Sequence, residues 1–232
     1  MASTYKAKKL LSRIAREAAV RHRDKLQELK GGASELKRPD WIWHSLLVSF
    51  STMGNSRGYE GLIKCKGNYK RVTYRALSRC SAGEQRRVLT DTLSAAKVRM
   101  PRIKANWLLR NHKIIAKAGG LSTIKRALLA EIGTTAKIKF LRQFKGIGPK
   151  YARNMLMDVY HPDFRESIAI DERIKSLSEK LNLSFKNYED HERFYLEVAR
   201  AAGLQGWELD RLIYQYQQEF LCALTASFWK FQ

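Results

Sequence analysis

The stretch Phe144-Lys145-Gly146-Ile147-Gly148-Pro149-Lys150-Tyr151-Ala152 constrains this chain more than any other. It lies between two segments of helical period. Glycines at i and i+2 predict a turn tighter than residues with a Cβ permit. Pro149 suits the first position of a new helix, where a missing N–H is no loss. The prediction is helix, hairpin, helix, with unpaired backbone N–H groups and the positive end of a helix dipole facing outward. Such an end binds phosphate. Gly146, Ile147 and Gly148, with the ammonium of Lys145 beside them, form the candidate phosphate contact.

The flanks read as helix. Residues 4–29 carry Leu10, Leu11, Ile14, Ala18 and Leu26 on one stripe, and Gly31-Gly32 ends the run. Pro39-Asp40 starts a buried helix with Trp43, Leu46, Leu47 and Phe50. It runs into the polar loop from Ser51 to Gly58, which is either a connector or a functional loop. Residues 62–80 have no clear period, and a helix is expected over 83–99. Pro101 opens a helix ending at Gly119-Gly120. Ser122 is the expected cap of the next, which ends at Gly133, and Thr134 or Thr135 caps a third running to Phe144. The second hairpin helix is expected over 149–160, with Ala152, Met155, Leu156 and Val159 inward. His161-Pro162-Asp163 breaks it, Ser167 to Ile170 is extended, and Asp171 caps the helix that follows. Two more helices lie near 189–201 and 206–224. There is no strand-rich region and no internal repeat, so the fold class is all-α.

Charge supplies the partner. Lys and Arg number 44 against 22 Asp and Glu, a net +22, and a chain this positive repels itself unless it meets a polyanion. Nucleic acid is the first reading and an anionic membrane surface the second; the basic residues run through the whole chain and not in one juxtamembrane block. No stretch reaches the roughly 20 apolar residues of a membrane span, and the N-terminus lacks an apolar leader core. A soluble, cytoplasmic protein without a membrane partner is expected. Cys65, Cys80 and Cys222 are too far apart for a disulfide framework or a CxxC metal pair. Ribosomal proteins share such a charge, so charge by itself does not select an enzyme.

Two residues carry candidate chemistry. The buried stripe of the second hairpin helix turns Lys150 and Asn154, one turn apart, to its outer face. The dipole end and Lys145 both oppose a further positive charge at Lys150, and an uncharged amine is what a nucleophile requires. Asp171 is the one carboxylate comparably placed. Helix 150–160 carries the chain outward by roughly 15 Å. Ten extended residues at about 3.3 Å each are long enough to bring it back. A surface lysine on phosphate and an ordinary aspartate cap are the plain alternative.

Together these residues resemble a known family. Phe144 to Asn154 is similar to the hairpin of the helix-hairpin-helix DNA glycosylases, and Ile168-Ala169-Ile170-Asp171 to the segment that carries their catalytic aspartate. In the lysine-bearing members, the endonuclease III and 8-oxoguanine glycosylase types, a lysine at the position of Lys150 attacks the sugar. Trp43 to Arg57 resembles the helix and loop that enter DNA at the lesion, and Leu209 to Tyr214 the late helix behind the pocket.

The resemblance implies a two-lobed helical bundle with a DNA-binding cleft between lobes, built from residues 39–232. One lobe would hold about 60–135 and the other 39–58 plus 136–232, with 1–38 as a basic helical extension. It implies a monomeric glycosylase that flips and excises a damaged or modified base from double-stranded DNA, with lyase activity through a Lys150 Schiff base and Asp171 assisting. An oxidised base such as 8-oxoguanine leads; an alkylated or hypermodified base, as in phage DNA defence, and a non-catalytic hairpin protein are the alternatives. Asn55 or Arg57 would fill the gap left by the flipped base. Asn154, Tyr214 and Gln215 are base-pocket candidates, or else plain surface and core residues. No cofactor is required; a structural Na⁺ or K⁺ at the hairpin accompanies many members, and the four-cysteine cluster loop is missing. Glu172-Arg173 stand where the family has Thr-His.

Overall fold

In the computed structural model, which describes residues 2–54 and 57–228, the chain divides into two units: residues 1–34 with 156–232, and residues 35–155. Each is helical, and no strand occurs among the described residues. No helix of the described residues is long and apolar enough to cross a membrane.

The first unit begins with α1 (Ala2–Arg21) and α2 (Arg23–Lys30), one helix in the sequence pattern and two in the structure. The break is His22, whose ring stacks 3.5 Å from that of Tyr216 and meets the Glu219 carboxylate at 3.0 Å. The charge of α1 hides an apolar side: Leu11, Ile14, Ala15 and Ala18 are buried. That side packs on the last two helices of the chain. The burial of this stripe makes α1 part of the core of its unit.

The second unit opens with α3 (Trp41–Thr52), whose Trp41, Trp43, Leu46, Leu47 and Phe50 are buried as their spacing predicts. The residues without clear period become α4 (Arg57–Tyr59), a π-helical turn (Glu60–Lys64), α5 (Lys66–Arg71) and α6 (Tyr74–Leu77). The pieces are short because Gly58 and Gly61 must pass close to backbone. A Cβ on Gly58 would lie 2.4 Å from Ser51 O, and one on Gly61 2.3 Å from Ala96 O. Helix α7 (Ala82–Ala95) starts in a full capping box between Ser81 and Glu84. Helix α8 (Pro101–Lys117) has Pro at its first position and ends at the Gly119-Gly120 pair.

Helix α9 (Leu121–Ala130) and α10 (Gly133–Leu141) correct two expected caps. Gly120 and Ile132 occupy the N-cap positions without side-chain bonds, so Ser122, Thr134 and Thr135 lie inside their helices. Helix α11 (Pro149–Met157) is three residues shorter than its pattern; Tyr160, at φ 47°, ends the run. The chain passes from the second unit to the first within this helix. Then come α12 (Glu172–Lys180), α13 (Tyr188–Ala202) and α14 (Gly206–Phe228), which kinks at Tyr216.

Lys104 sits on the buried side of α8, fully out of solvent. It donates to Phe50 O and Met53 O, 2.8 Å each, tying down the carbonyl end of α3. Burial, reinforced by Arg99, lowers its ammonium from 10.5 to about 8. The unfolded chain therefore binds this proton more tightly than the fold. The burden on stability is full below pH 8 and lifts as pH rises towards 10.5. The stability of the native chain relative to Lys104→Met should rise across that window by up to roughly 3 kcal/mol, measured by denaturant unfolding at stepped pH. A difference that stays flat from neutral to alkaline pH contradicts this.

Candidate nucleic-acid interface and reactive residues

The hairpin forms as the glycines predict, but they do different work. Gly146 has φ 86°, and a Cβ there would meet Trp107 at 2.5 Å and Phe50 at 3.0 Å. Glycine is required by the fold at that position. Gly148 has neither a left-handed φ nor any atom within 4 Å of where its Cβ would lie. Nothing inside the protein asks for glycine there, and the open space over its backbone faces outward. Phe144 and Ile147 are buried and root the turn, with Ile147 N–H donating to Phe144 O at 3.1 Å.

Asn111, fully buried on α8, holds the turn from below. Its Oδ1 accepts the N–H of Lys145 at 2.7 Å, and its Nδ2 donates to Lys145 O at 3.1 Å. Among the described residues the N–H groups of Gly146, Gly148 and Lys150 donate to no protein acceptor. They sit at or beside the N-terminus of α11 with the exposed Lys145 next to them. Three free donors and a dipole end make an anion site in the ordinary sense.

Lys150 is half-buried, its ammonium 4.9 Å from the centroid of the Tyr151 ring. Asn154 is half-buried one turn on. Arg57 is exposed at the start of α4, and Asn55 lies outside the described residues.

Asp171 belongs to the other unit, and there its surroundings are built with care. Its Oδ1 accepts the N–H groups of Arg173 and Ile174 at 2.9 and 3.1 Å, the N-cap the sequence predicts. Its Oδ2 takes the Arg173 guanidinium at 3.1 Å. That guanidinium lies 4.2 Å over the ring of Tyr214, so the structure gathers Asp171, Arg173 and Tyr214 into one cluster. Tyr214 and Gln215 are both exposed.

The segment leading to Asp171 is extended, as expected, from Ser167 to Ile170, but residues 162–164 coil into a 3₁₀ turn and shorten the reach of the connection. With no strand beside it, side chains serve its backbone. Ile168 N–H donates to Glu192 at 3.0 Å, Ala169 N–H to Asp210 at 2.8 Å, and Ile170 N–H to the Tyr188 hydroxyl at 3.0 Å. The Tyr188 hydroxyl donates in turn to Ile168 O at 3.2 Å. Burial pushes the Asp210 carboxyl up to about 6, against the pull of the adjoining Arg211. Gly206 lets α14 start against this segment: a Cβ would lie 3.1 Å from Ser167 N.

Sequence reasoning missed Asn111, Lys104, Glu192 and Asp210. A signal existed for the first two. Lys104, Leu108, Asn111 and Ile115 fall at i, i+4, i+7 and i+11, so two polar residues stand in an apolar stripe. Polar groups there are buried and need partners.

Charge also divides. Residues 35–155 hold 26 Lys and Arg against 6 Asp and Glu, a net +20; residues 1–34 and 156–232 hold 18 against 16, a net +2. Basic residues run through the whole chain, but the excess belongs to the unit that carries the hairpin. Among the described residues no group of His, Cys, Asp and Glu is placed to hold a metal ion.

Asn111→Ala leaves the part-buried N–H and C=O of Lys145 without their partner. It should destabilise the chain by about 1–3 kcal/mol and speed amide exchange at residues 144–148. Unchanged exchange there would show that the turn stands without the clamp. Comparison with family models, curated proteins and solved structures gave no match.

Proposed function

We propose that the chain is a DNA glycosylase with associated lyase activity, acting on a modified base in duplex DNA. The observation that carries this is the hairpin: N–H groups of Gly146, Gly148 and Lys150 that meet no acceptor among the described residues, open space over Gly148, and a lysine amine beside them. The backbone of the turn grips phosphate, and Lys150 is the nucleophile.

A base inside a duplex is out of reach, so the nucleotide is flipped at a cost of a few kcal/mol in stacking and pairing. Arg57, or Asn55 beside it, fills the space left. The Lys150 amine attacks C1′; the glycosidic bond breaks with its electron pair leaving on the base, which takes up a proton. Ring opening gives a Schiff base. Loss of a C2′ proton then expels the 3′ phosphate by β-elimination, leaving a nick. Asp171 is the carboxylate that stabilises the positive charge growing on the deoxyribose. Arg173, which holds its Oδ2, must yield or share it. Tyr214 lies against the Arg173 guanidinium that holds that carboxylate and is the favoured pocket residue, ahead of Asn154 and Gln215. A Na⁺ or K⁺ would be held by hairpin carbonyls and would supply positive charge to attract a phosphate. Those of Phe144, Lys145 and Gly148 each accept one N–H and keep a second lone pair, so the oxygen ligands fit such an ion.

A non-catalytic hairpin DNA-binding protein is the second reading. One observation favours it: both oxygens of Asp171 are already engaged, by a cap and by Arg173.

Borohydride added with duplexes bearing single modified bases separates the two. The enzyme is expected to leave a covalent adduct, absent from Lys150→Gln. Asp171→Asn should keep DNA affinity and lose excision by about 10²–10⁴-fold. No adduct on any of oxidised, alkylated or hypermodified bases, with tight binding retained, selects the second reading. Which duplex gives the adduct names the base.

A further inference from the structure

Helix α8 has a second face. Trp107 and Asn111 hold the hairpin, while Arg102, Asn106, Arg110, Lys113 and Lys117 recur along the helix and are all exposed. At about 100° per residue this stripe lies roughly a quarter-turn round the helix from Trp107. Opposite it, Ala82, Gln85 and Arg86 of α7 face Asn106, Leu109, Arg110 and Lys113 across a cleft of about 340 Å³. Arg86 donates to the Asn106 amide oxygen.

The cations of this cleft are not neutralised from within. No ion pair among the described residues involves Arg86, Arg102, Arg110, Lys113 or Lys117. The nearest carboxylate in sequence, Glu84, accepts the N–H and hydroxyl of Ser81 at 2.8 Å each and closes the α7 cap. The other unit behaves differently: Lys8, Arg21 and Lys30 pair with Glu197, Glu219 and Glu208. Like charges gathered round a concave surface raise the local concentration of a polyanion.

We propose that the α7–α8 cleft is a second phosphate site, taking a backbone phosphodiester of the same DNA duplex that the hairpin holds. The inference rests on the reading of DNA as partner, not on the chemistry at Lys150. Arg86 and Arg110 offer planar forks to the phosphate oxygens, Lys113 a point charge, and the Asn106 amide a neutral donor, while the Gln85 amide is spent on Leu77 O and Cys80 O. Because α8 both clamps the hairpin and lines the cleft, a duplex fixed at one is aimed along the other.

The test is the salt dependence of binding by the full chain to a short undamaged duplex. Each phosphate contact contributes a slope of about 0.9 in log affinity against log salt. Arg86→Gln, Arg110→Gln and Lys113→Gln combined should lower the magnitude of that slope by about 1 or more while leaving the melt unchanged. A control that removes three exposed cations of the other unit (Arg23→Gln, Lys180→Gln, Lys186→Gln) should leave the slope as it is. If the triple variant melts early, Arg110→Gln with a native melt should still weaken binding at low salt and less so at high salt. An unchanged slope, or equal loss from the control, overturns the proposal, as does a loss confined to duplex RNA. Excision with an unchanged slope sinks the cleft and leaves the enzyme. A lowered slope without excision from any substrate does the reverse.

Discussion

The close approach of Gly146 to Trp107 and Phe50 is the constraint on which the hairpin depends. No side chain fits there, so the turn can lie flat against α8, near enough for Asn111 to take both main-chain groups of Lys145. Lys104, two turns earlier on the same buried stripe, does the same for the carbonyl end of α3. One regular helix thus holds two pieces of backbone: the turn at 144–148 and the carbonyl end of α3. Buried polar groups cost stability unless fully paired, and here each is paired with main chain. Their precision is the return on that cost.

The same device recurs in the other unit. Residues 167–170 are extended and buried, a conformation that normally needs a neighbouring strand. Glu192, Tyr188 and Asp210 replace the strand, each giving one oxygen to one amide. Asp171 follows directly, so its position is set by three side chains from α13 and α14 and not by a flexible loop. An aspartate held this firmly is more than a cap requires. Helix α12 would start as well from a looser residue, and N-cap serine or asparagine would serve it.

Much of this was legible in the sequence, and the part that was not has a common cause. The hairpin, the Asp171 cap and the helices around them follow from local rules: a glycine where φ must be positive, a proline at a first turn, apolar residues at helical period. Ser122 and Thr134 misled because a capping residue only caps if the chain turns at that point, and Gly120 and Ile132 turned it earlier. The break at His22 was hidden, since its cause is Tyr216, nearly two hundred residues away. Glu192 and Asp210 were hidden for the same reason: their partners are amides, which every sequence has everywhere. Gly148 was over-read as a turn residue; its openness shows only once the fold places nothing above it.

Charge says where a polyanion is met, and geometry says what is done to it. A net +20 on residues 35–155 would suit a purely structural nucleic-acid binder as well as an enzyme. Beyond buried cations such as Lys104, two arrangements of positive groups stand out in this unit. Arg86, Arg110 and Lys113 are exposed and face one another across open space, an arrangement for holding a phosphate. Lys150 is half-buried, lies against an aromatic ring, and stands one residue inside a helix whose dipole already supplies the positive field. On the proposed reading the dipole and the three N–H groups hold the phosphate, and the Lys150 amine is the reagent beside them.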